Sequence, residues 1–398
     1  MTLFESFLAD AGRRFFSLSE TTGRFFMKRF LSVAVALLMA LTVLPVLAGA
    51  EGAGDALGSL VYTGSMELEY ASQFSVDYYE GGYQLITVSD GARVLTVPEG
   101  AAAPEGLPED VMVLSCPVSD LLVSSTPITS LINALGRLSD IKYTTTDADG
   151  WYIEDVKSAV ESGALTYIGT YKEPDFELLA ADAPSFGVFS TMLDNVPDVA
   201  EKLTELGIMY MRDYSTFENH PLGRVEWIKL YGALLGADEE AQAVYDAQKQ
   251  LVDSLSNAET GKTCAIFYIT SKGTLHVRNG SDYIARMMEL AGGEYILSDF
   301  NPEGTGAEEM GLEDFYARAS EADYILYLGS MGGKPQTIAE MVERWDLLAE
   351  FKAVREGNVY STTPDFFQVS DTLGNIIVDM NRMLTGDDAE LTYLFELQ

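Results

Sequence analysis

Two carboxylates at matched positions are the residues of this chain best suited to interact with another molecule. Glu177 lies in the segment GTYKEPDFELLA, and Glu313 lies in MGLEDFYARASEADYILYL, about 135 residues further on. Each is predicted to open a helix that leads to an apolar run typical of a buried strand. A first-turn carboxylate is stabilised by the helix dipole and remains free to pair with an arginine. The repetition predicts two similar α/β lobes, which suit a two-lobed binding protein better than an enzyme with one active site.

Loops that follow the predicted strands supply the candidate ligand contacts, because open α/β sheets bind ligands at the carboxyl ends of their strands. These loops cover residues 124–126, 169–171, 190–192, 213–214, 271–278, 329–333 and 363–367. The candidate contacts are Ser124, Ser125, Tyr171, Ser190, Thr191, Met192, Tyr214, His276, Arg278, Phe366 and Phe367. The aromatic rings would offer flat apolar surface, and Arg278 would offer positive charge to an anionic ligand. Trp151 is also expected to face this cleft.

The elements that must position these residues alternate between strand and helix. The chain begins with three short strands at residues 74–79, 83–89 and 93–97, which glycine-containing turns separate. Further strands are predicted at 111–114, 120–123, 165–168, 186–189 and 208–211, with helices at 129–136, 175–181 and 196–206. After a helix at 238–255, strands at 264–269, 324–328 and 359–361 alternate with helices at 281–291 and 370–384. This alternation predicts mostly parallel sheets that helices cover on both faces.

The predicted fold class is therefore α/β, with two Rossmann-like lobes, mostly parallel sheets and a ligand cleft between the lobes. The apolar stripe of residues 238–255 predicts one long helix that bridges them. The expected divisions are an amino-terminal extension with a signal peptide at 1–50, an N-terminal lobe with a β-rich start at 60–220, linking helices at 221–257 and a C-terminal lobe at 258–390.

The amino terminus indicates export. Met27, Lys28 and Arg29 form a basic start, residues 30–47 are apolar, and residues 48–50 (Ala-Gly-Ala) resemble a cleavage site. The apolar run is also long enough to stay uncleaved as a membrane anchor. Residues 1–26 precede a second methionine, Met27, and are interpreted as a stretch included by a wrongly assigned translation start. We expect an extracytoplasmic protein, at the cell surface or in the periplasm.

Composition excludes several function classes. After residue 50 the chain carries 58 acidic and 20 basic side chains, which argues against nucleic acid or an anionic membrane surface as a partner. Its two cysteines, Cys116 and Cys264, are expected in different lobes and unpaired. No metalloprotease, dinucleotide-binding or P-loop motif is present, so we expect no protein metal site, no cofactor and no enzyme activity.

The chain resembles the substrate-binding proteins of ABC importers for iron-siderophores, cobalamin and haem. The resemblance covers roughly residues 62–385. Its segments are FSVDYYEGGYQLITVSDG, GTYKEPDFELL, STFENHPLGRVEWIKLYGALLG, ELAGGEYI and MGLEDFYARASEADYILY. It implies two lobes joined by a rigid helix, a monomer, and docking of Glu177 and Glu313 on arginines of an ABC transporter permease. It also implies a small-molecule metal chelate as ligand. The cysteine that anchors lipoproteins after the apolar run is missing from this sequence.

The resemblance leaves alternatives open. The ligand is expected to be an iron-siderophore or related ferric chelate, with cobalamin or haem as alternatives. His276 either ligates haem iron, with Met192 or another methionine opposite, or is hydrogen-bonded scaffolding. Glu218 and Arg224 are predicted to pair as a brace between the lobes, and His220 is predicted to cap a helix. A metal-handling enzyme or chelatase on the same fold would need a compact histidine and carboxylate cluster. A structural cell-surface protein with a degenerate cleft is the remaining alternative.

Overall fold

The computed structural model describes residues 57–255, 258–387 and 389–398. The predicted signal segment lies outside these ranges. None of the helices within them combines the length and the apolar character that a membrane crossing requires. The strands below are numbered β1 to β19 and the α-helices α1 to α12 in chain order.

A five-stranded sheet in the order β1-β2-β3-β4-β5 forms the β-rich start. Its strands are β1 (Tyr62–Ser65), β2 (Phe74–Tyr79), β3 (Tyr83–Val88), β4 (Arg93–Pro98) and β5 (Val111–Cys116). Gly81 and Gly82 have φ values of 85° and 84°, which explains why glycine occupies this hairpin turn. Residues 111–114 were expected to start the α/β series, but β5 pairs in parallel with β4. The connection at 99–110 is long enough for that parallel crossover.

The N-terminal lobe contains a parallel five-stranded sheet in the order β12-β11-β6-β7-β8. Its strands are β6 (Leu121–Ser124), β7 (Ile141–Thr144), β8 (Thr166–Tyr167), β11 (Phe186–Ser190) and β12 (Tyr210–Asp213), and β9 (Gly169–Thr170) and β10 (Glu173–Pro174) form a separate hairpin. Its helices are α1 (Thr126–Ala134), α2 (Glu154–Ser162), α3 (Phe176–Ala181) and α4 (Pro197–Glu205). The strand β7 was not predicted, whereas the parallel arrangement is confirmed.

Three consecutive helices connect the lobes: α5 (Pro221–Glu226), α6 (Ile228–Leu235) and α7 (Asp238–Ser254). All eight residues of α6 are buried, and this helix packs against α1, α7 and the strands β2 and β3. The predicted long helix is α7, with 17 residues and no proline or glycine. Ala241, Tyr245, Gln248 and Val252 form its buried stripe at helical spacing.

The C-terminal lobe contains a seven-stranded sheet in the order β16-β14-β13-β17-β18-β19, with β15 paired to β13. Its strands are β13 (Thr263–Ile269), β14 (Leu275–Arg278), β15 (Glu294–Tyr295), β16 (Ala307–Glu309), β17 (Tyr324–Tyr327), β18 (Val359–Thr362) and β19 (Leu394–Glu396). Its helices are α8 (Tyr283–Leu290), α9 (Leu312–Ala319), α10 (Ile338–Val342), α11 (Lys352–Glu356) and α12 (Leu373–Thr385). The strands β13, β15, β17 and β18 run parallel, and β14 and β19 are antiparallel to their neighbours. The α/β class with mostly parallel sheets is thus confirmed.

The two cysteines lie in different sheets and are unpaired, as expected. Cys116 ends β5, and Cys264 lies in β13 and is buried. Burial raises the pKa of both thiols, so neither is an activated nucleophile.

Candidate functional site

A partly open cavity of about 130 Å³ lies between the lobes. Pro127 and Ser215 reach it from just beyond β6 and β12 of the N-terminal lobe. Phe366 and Phe367 reach it from the loop after β18 of the C-terminal lobe. It is also lined by Thr216, Arg224, Tyr283, Val369, Ser370 and Leu373. The cavity therefore lies at the carboxyl ends of parallel strands, where open α/β sheets bind ligands.

Arg224 is the charged group of this cavity. Its guanidinium lies 3.6 Å from the ring centroid of Tyr283. Its Nε donates to the carbonyl of Glu218 at 3.0 Å, and an Nη donates to the carbonyl of Thr216 at 2.7 Å. Burial lowers the pKa of Arg224, and the nearby Tyr283 and Asp282 oppose that shift. Arginine still remains protonated in proteins, so the cavity contains a permanent positive charge.

Arg224 does not form the predicted pair with Glu218. The buried Glu218 carboxylate instead accepts hydrogen bonds from the backbone N–H groups of Ser72 and Gln73 and from the indole of Trp227. Because these donors satisfy the carboxylate, the Arg224 guanidinium is left facing Tyr283 and the cavity. The predicted ion pair is therefore wrong. The sequence spacing of Glu218 and Arg224 favoured an ion pair, because no local pattern shows that residues 72–73 pack against Glu218.

His220 caps a helix, as predicted. Its Nδ1 accepts a hydrogen bond from the N–H of Leu222 at 3.2 Å at the start of α5. Its ring stacks on Tyr70 with centroids 4.1 Å apart. Burial and, to a smaller extent, Arg286 lower the pKa of His220 to about 4, so the imidazole is neutral at physiological pH.

The predicted aromatic contacts do not all reach one place. Phe366 and Phe367 line the cavity between the lobes and meet edge to face, with ring centroids 5.1 Å apart. Tyr171 lines a separate, open pocket of about 420 Å³ on the N-terminal lobe. The hydroxyl of Tyr214 donates to Asp90 at 3.2 Å, and burial together with Asp90 raises the pKa of Tyr214 to about 12. Trp151 is buried and donates from Nε1 to the carbonyl of Thr146. The expectation that Trp151 faces the cleft is wrong, because its ring fills the core of the lobe.

The predicted serine and threonine contacts belong to the carboxyl-end loops of β6 and β11. Ser124 is buried and shares a hydrogen bond with Thr145 at 2.8 Å. Ser125 is the N-cap residue of α1, without a side-chain capping bond. Ser190 accepts from the N–H of Met192 in the turn that also contains Thr191, and Met192 is exposed.

Residues 271–278 do not form the predicted loop. Leu275–Arg278 is the strand β14, which a short turn at Gly273 folds back antiparallel on β13. Both carboxylate oxygens of Asp282 bind the buried guanidinium of Arg278, at 2.8 and 2.6 Å. His276 stacks on Tyr268 with ring centroids 5.0 Å apart. The expected free charge is therefore wrong for Arg278, since Asp282 already balances it.

The lobes contact each other beside the cavity. The side chain of Gln368 donates to the carbonyl of Gly150 at 2.7 Å and accepts from the N–H of Tyr152 at 2.9 Å. Lys334 donates from Nζ to the hydroxyl of Tyr152 and lies 4.5 Å from the centroid of its ring. Tyr152, and not the predicted Trp151, is thus the aromatic residue of this segment that reaches the opposite lobe.

Glu177 and Glu313 occupy equivalent positions in the two lobes. Each is the second residue of its helix, α3 and α9 respectively, and each is exposed. The strands β8 and β16 precede these helices and run in the direction of their parallel sheets. Both helices therefore begin at the carboxyl edge of a lobe, on the side of the cleft. Neither carboxylate forms an ion pair within the described ranges, so both remain available to a cationic partner.

Sequence reasoning missed Tyr283 and the position of Arg224 at the cavity. Both residues are on helices, α8 and α5, whereas the search followed the loops after strands. No signal in the sequence shows that α5 points its arginine between the lobes. In the part of the chain that the structure describes, histidine, cysteine, aspartate and glutamate side chains do not come together in any group of three or more that could hold a metal ion.

Comparison with known proteins places this arrangement in a family. The family model described as periplasmic binding protein matches residues 141–366. A lipoprotein of Methanocaldococcus jannaschii, described as uncharacterized, is 25% identical over 331 residues, which cover 76% of this chain and 77% of that protein.

Two solved structures share the fold. A periplasmic binding protein from Veillonella parvula superimposes with a TM-score of 0.55 at 15% identity, covering 83% of this chain and 100% of that one. A periplasmic haem-binding protein from Pseudomonas aeruginosa gives a TM-score of 0.55 at 15% identity, covering 70% and 98% of the two chains. With a family model that matches more than half of its residues, this chain belongs to the periplasmic binding protein family.

Proposed function

We propose that this protein is an exported, extracytoplasmic binding protein that holds a ferric chelate between its lobes and delivers it to the permease of an ABC transporter. The observation that carries the proposal is the cavity between the lobes, where Arg224 lies with Phe366 and Phe367. Aromatic faces suit the large apolar surface of a chelate, and a guanidinium suits its anionic oxygens. The exposed Glu177 and Glu313 would contact the permease.

Haem is the second candidate ligand. Two exposed thioethers, Met192 and Met331, follow the carboxyl ends of β11 and β17, one in each lobe. Methionine sulfur is a known axial ligand of haem iron. The haem-binding protein of Pseudomonas aeruginosa, which has the same fold, adds support to this alternative.

Titration of the purified protein should show saturable binding of a ferric chelate at micromolar or lower concentration. Quenching of tryptophan fluorescence reports binding, and the absorbance spectrum of the complex separates ferric siderophores, haem and cobalamin. Phe367→Ala should weaken binding about 10-fold or more, because a ligand would lose an aromatic surface. Phe395→Ala is the matched control, since this half-buried phenylalanine lies on β19, away from the cavity. If no ferric chelate, haem or cobalamin perturbs the fluorescence, the proposed function is wrong.

The lobes should move little on binding. The helix α7 spans 17 residues without a helix-breaking residue, and kinks need proline, glycine or an inserted side chain. The side chain of Gln248 also joins α7 to α12 by accepting from the N–H of Gly374 at 2.9 Å. Small-angle scattering with the tightest-binding chelate should change the radius of gyration by less than about 1 Å, if the helix acts as a rigid strut. A decrease of several ångströms would contradict the rigid bridge.

A further inference from the structure

Lysines and arginines without a carboxylate partner are concentrated at the cleft. Of the 20 basic residues after residue 50, 13 form ion pairs within the described ranges. Seven do not, and five of these seven lie at the carboxyl edges of the two lobes. Those five, called here the cleft cations, are Lys172, Arg224, Lys272, Lys334 and Arg344. The other two, Lys157 and Lys262, lie on α2 and before β13.

This distribution is unusual for so acidic a chain. Carboxylates outnumber cations almost three to one after residue 50, so most cations find a carboxylate nearby. A group of cations without such partners raises the local potential and attracts anions, although the net charge of the molecule is strongly negative. Asp147 lines the same open pocket as Lys172 but forms no ion pair with it. The carboxyl edges of the two lobes thus carry cations that no carboxylate pairs within the described ranges, and Asp147 and Asp365 lie at the same edges.

Arg224 is the innermost of the cleft cations. A guanidinium has five N–H donors, and two of those of Arg224 are used by backbone carbonyls. The others have no hydrogen-bond partner in the described parts of the chain, and the guanidinium lines the cavity between the lobes. Stacking on Tyr283 orients the guanidinium plane without neutralising it. This geometry allows a bidentate contact with an anionic group in the cavity.

The C-terminal lobe provides further donors at the same edge. Arg344 makes only long contacts, with the carbonyls of Ile269 at 3.5 Å and Gly333 at 3.4 Å. Its Nε lacks a hydrogen-bond partner among the described residues. Three buried hydroxyls near the ends of β17 and β18 also lack a hydrogen-bond partner among the described residues. They belong to Ser330, Ser361 and Thr362. Buried polar groups are normally satisfied, and these four have almost no accessible surface, so they make the wall behind this edge polar but do not themselves contact a ligand.

We infer that the cleft selects chelates with at least two anionic groups, such as carboxylate or catecholate oxygens, over neutral or cationic chelates of similar size. One anionic group contacts Arg224 and another contacts Lys334 at the rim, while Lys172, in the separate open pocket of the N-terminal lobe, adds positive charge that attracts the ligand. This inference rests on the proposed function and specifies the ligand class of the same cleft.

Matched ligands and variants test the inference. The ligands are a ferric triscatecholate (anionic), ferrichrome (neutral) and ferrioxamine B (cationic), with haem and its dimethyl ester as a second matched pair. We expect the anionic member of each set to bind about 10-fold or more tightly, and raised salt to weaken only that member. Arg224→Met, which keeps the aliphatic stem, should reduce anionic binding about 10- to 100-fold and neutral binding by less than about 3-fold.

The rim lysines provide an independent measurement, since both are exposed. Lys172→Gln with Lys334→Gln should weaken the anionic ligands about 3- to 10-fold and reduce the salt dependence of binding. The control is Lys202→Gln with Lys262→Gln, which removes the same charge near the end of α4 and before β13, away from the carboxyl edges, and should change neither quantity. If Arg224→Met does not fold, the inference is tested by the Lys172→Gln with Lys334→Gln variant and by the salt dependence of binding to the original protein. Binding of neutral and anionic chelates with equal affinity and equal salt dependence would overturn the inference and leave the proposed function intact. Failure of every chelate to bind would reject the proposed function itself.

Discussion

Charge reversal at Glu177 or Glu313 is expected to abolish transport while ligand affinity stays within a few fold of the original. Each carboxylate is exposed at the second position of a helix and forms no ion pair within the described ranges. Neither residue lines the cavity between the lobes. A lysine that faces a permease arginine would replace the carboxylate–arginine attraction with a like-charge repulsion, which costs on the order of several kcal/mol of binding free energy. The proposed docking engages both lobes together, so either single substitution should suffice.

Uptake of the iron-loaded chelate by cells that carry the matching permease measures this result, alongside a titration of each purified variant. Glu201→Lys is the matched control, because Glu201 is exposed on α4, away from the start of that helix. Glu177→Gln and Glu313→Gln remove the attraction without adding repulsion and should give intermediate uptake. Loss of ligand binding in the lysine variants would assign these residues to the cleft. Unchanged uptake in both would leave them as ordinary helix-start carboxylates.

The periodic parts of the fold were predictable from the sequence. Apolar runs such as residues 264–269 and 324–328 gave β13 and β17, and the glycines at 81 and 82 gave the first hairpin. These signals are local, since buried strands and tight turns limit residue types within a few positions. The strand β14 was missed because Leu275–Arg278 is short and has only two apolar residues. Pairing with β13 through the turn at Gly273, and not local preference, makes it a strand.

The candidate site was less predictable, because it depends on which side chains meet across the lobes. Phe366 and Phe367 follow β18 directly, so the rule that ligands bind at carboxyl ends of strands found them. Arg278 was a misleading candidate, although Asp282 four residues later was a visible sign of an ion pair. Arg224 carried no such sign. Its exposure to the cavity results from the packing of Glu218 against residues 72–73, about 150 positions away in sequence, which no local pattern encodes.

The largest stability loss is expected from Glu226→Ala. Its side chain is fully buried on α5 and accepts hydrogen bonds from the backbone N–H groups of Glu69, Tyr70 and Ala71. Lys229 donates to the same carboxylate at 2.8 Å. Alanine would leave three N–H groups without an acceptor and the buried Lys229 ammonium without its carboxylate, with only the carbonyl of Glu67 at 3.3 Å and the ring of Tyr245 as partners. Removing one partner of a buried ion pair costs about 3–5 kcal/mol of unfolding free energy.

Urea denaturation followed by circular dichroism measures this loss as a lower midpoint of unfolding. Glu226→Gln preserves the side-chain shape and one acceptor oxygen but loses the charge, so we expect a smaller loss of about 1–3 kcal/mol. Glu201→Gln, an exposed control on α4, should stay within about 0.5 kcal/mol of the original protein. The substitution should act on more than one element, because Glu226 attaches residues 69–71, which precede β2, to the helices that connect the lobes. If Glu226→Ala unfolds at the same urea concentration as the control, these hydrogen bonds do not hold the amino-terminal sheet against the linking helices.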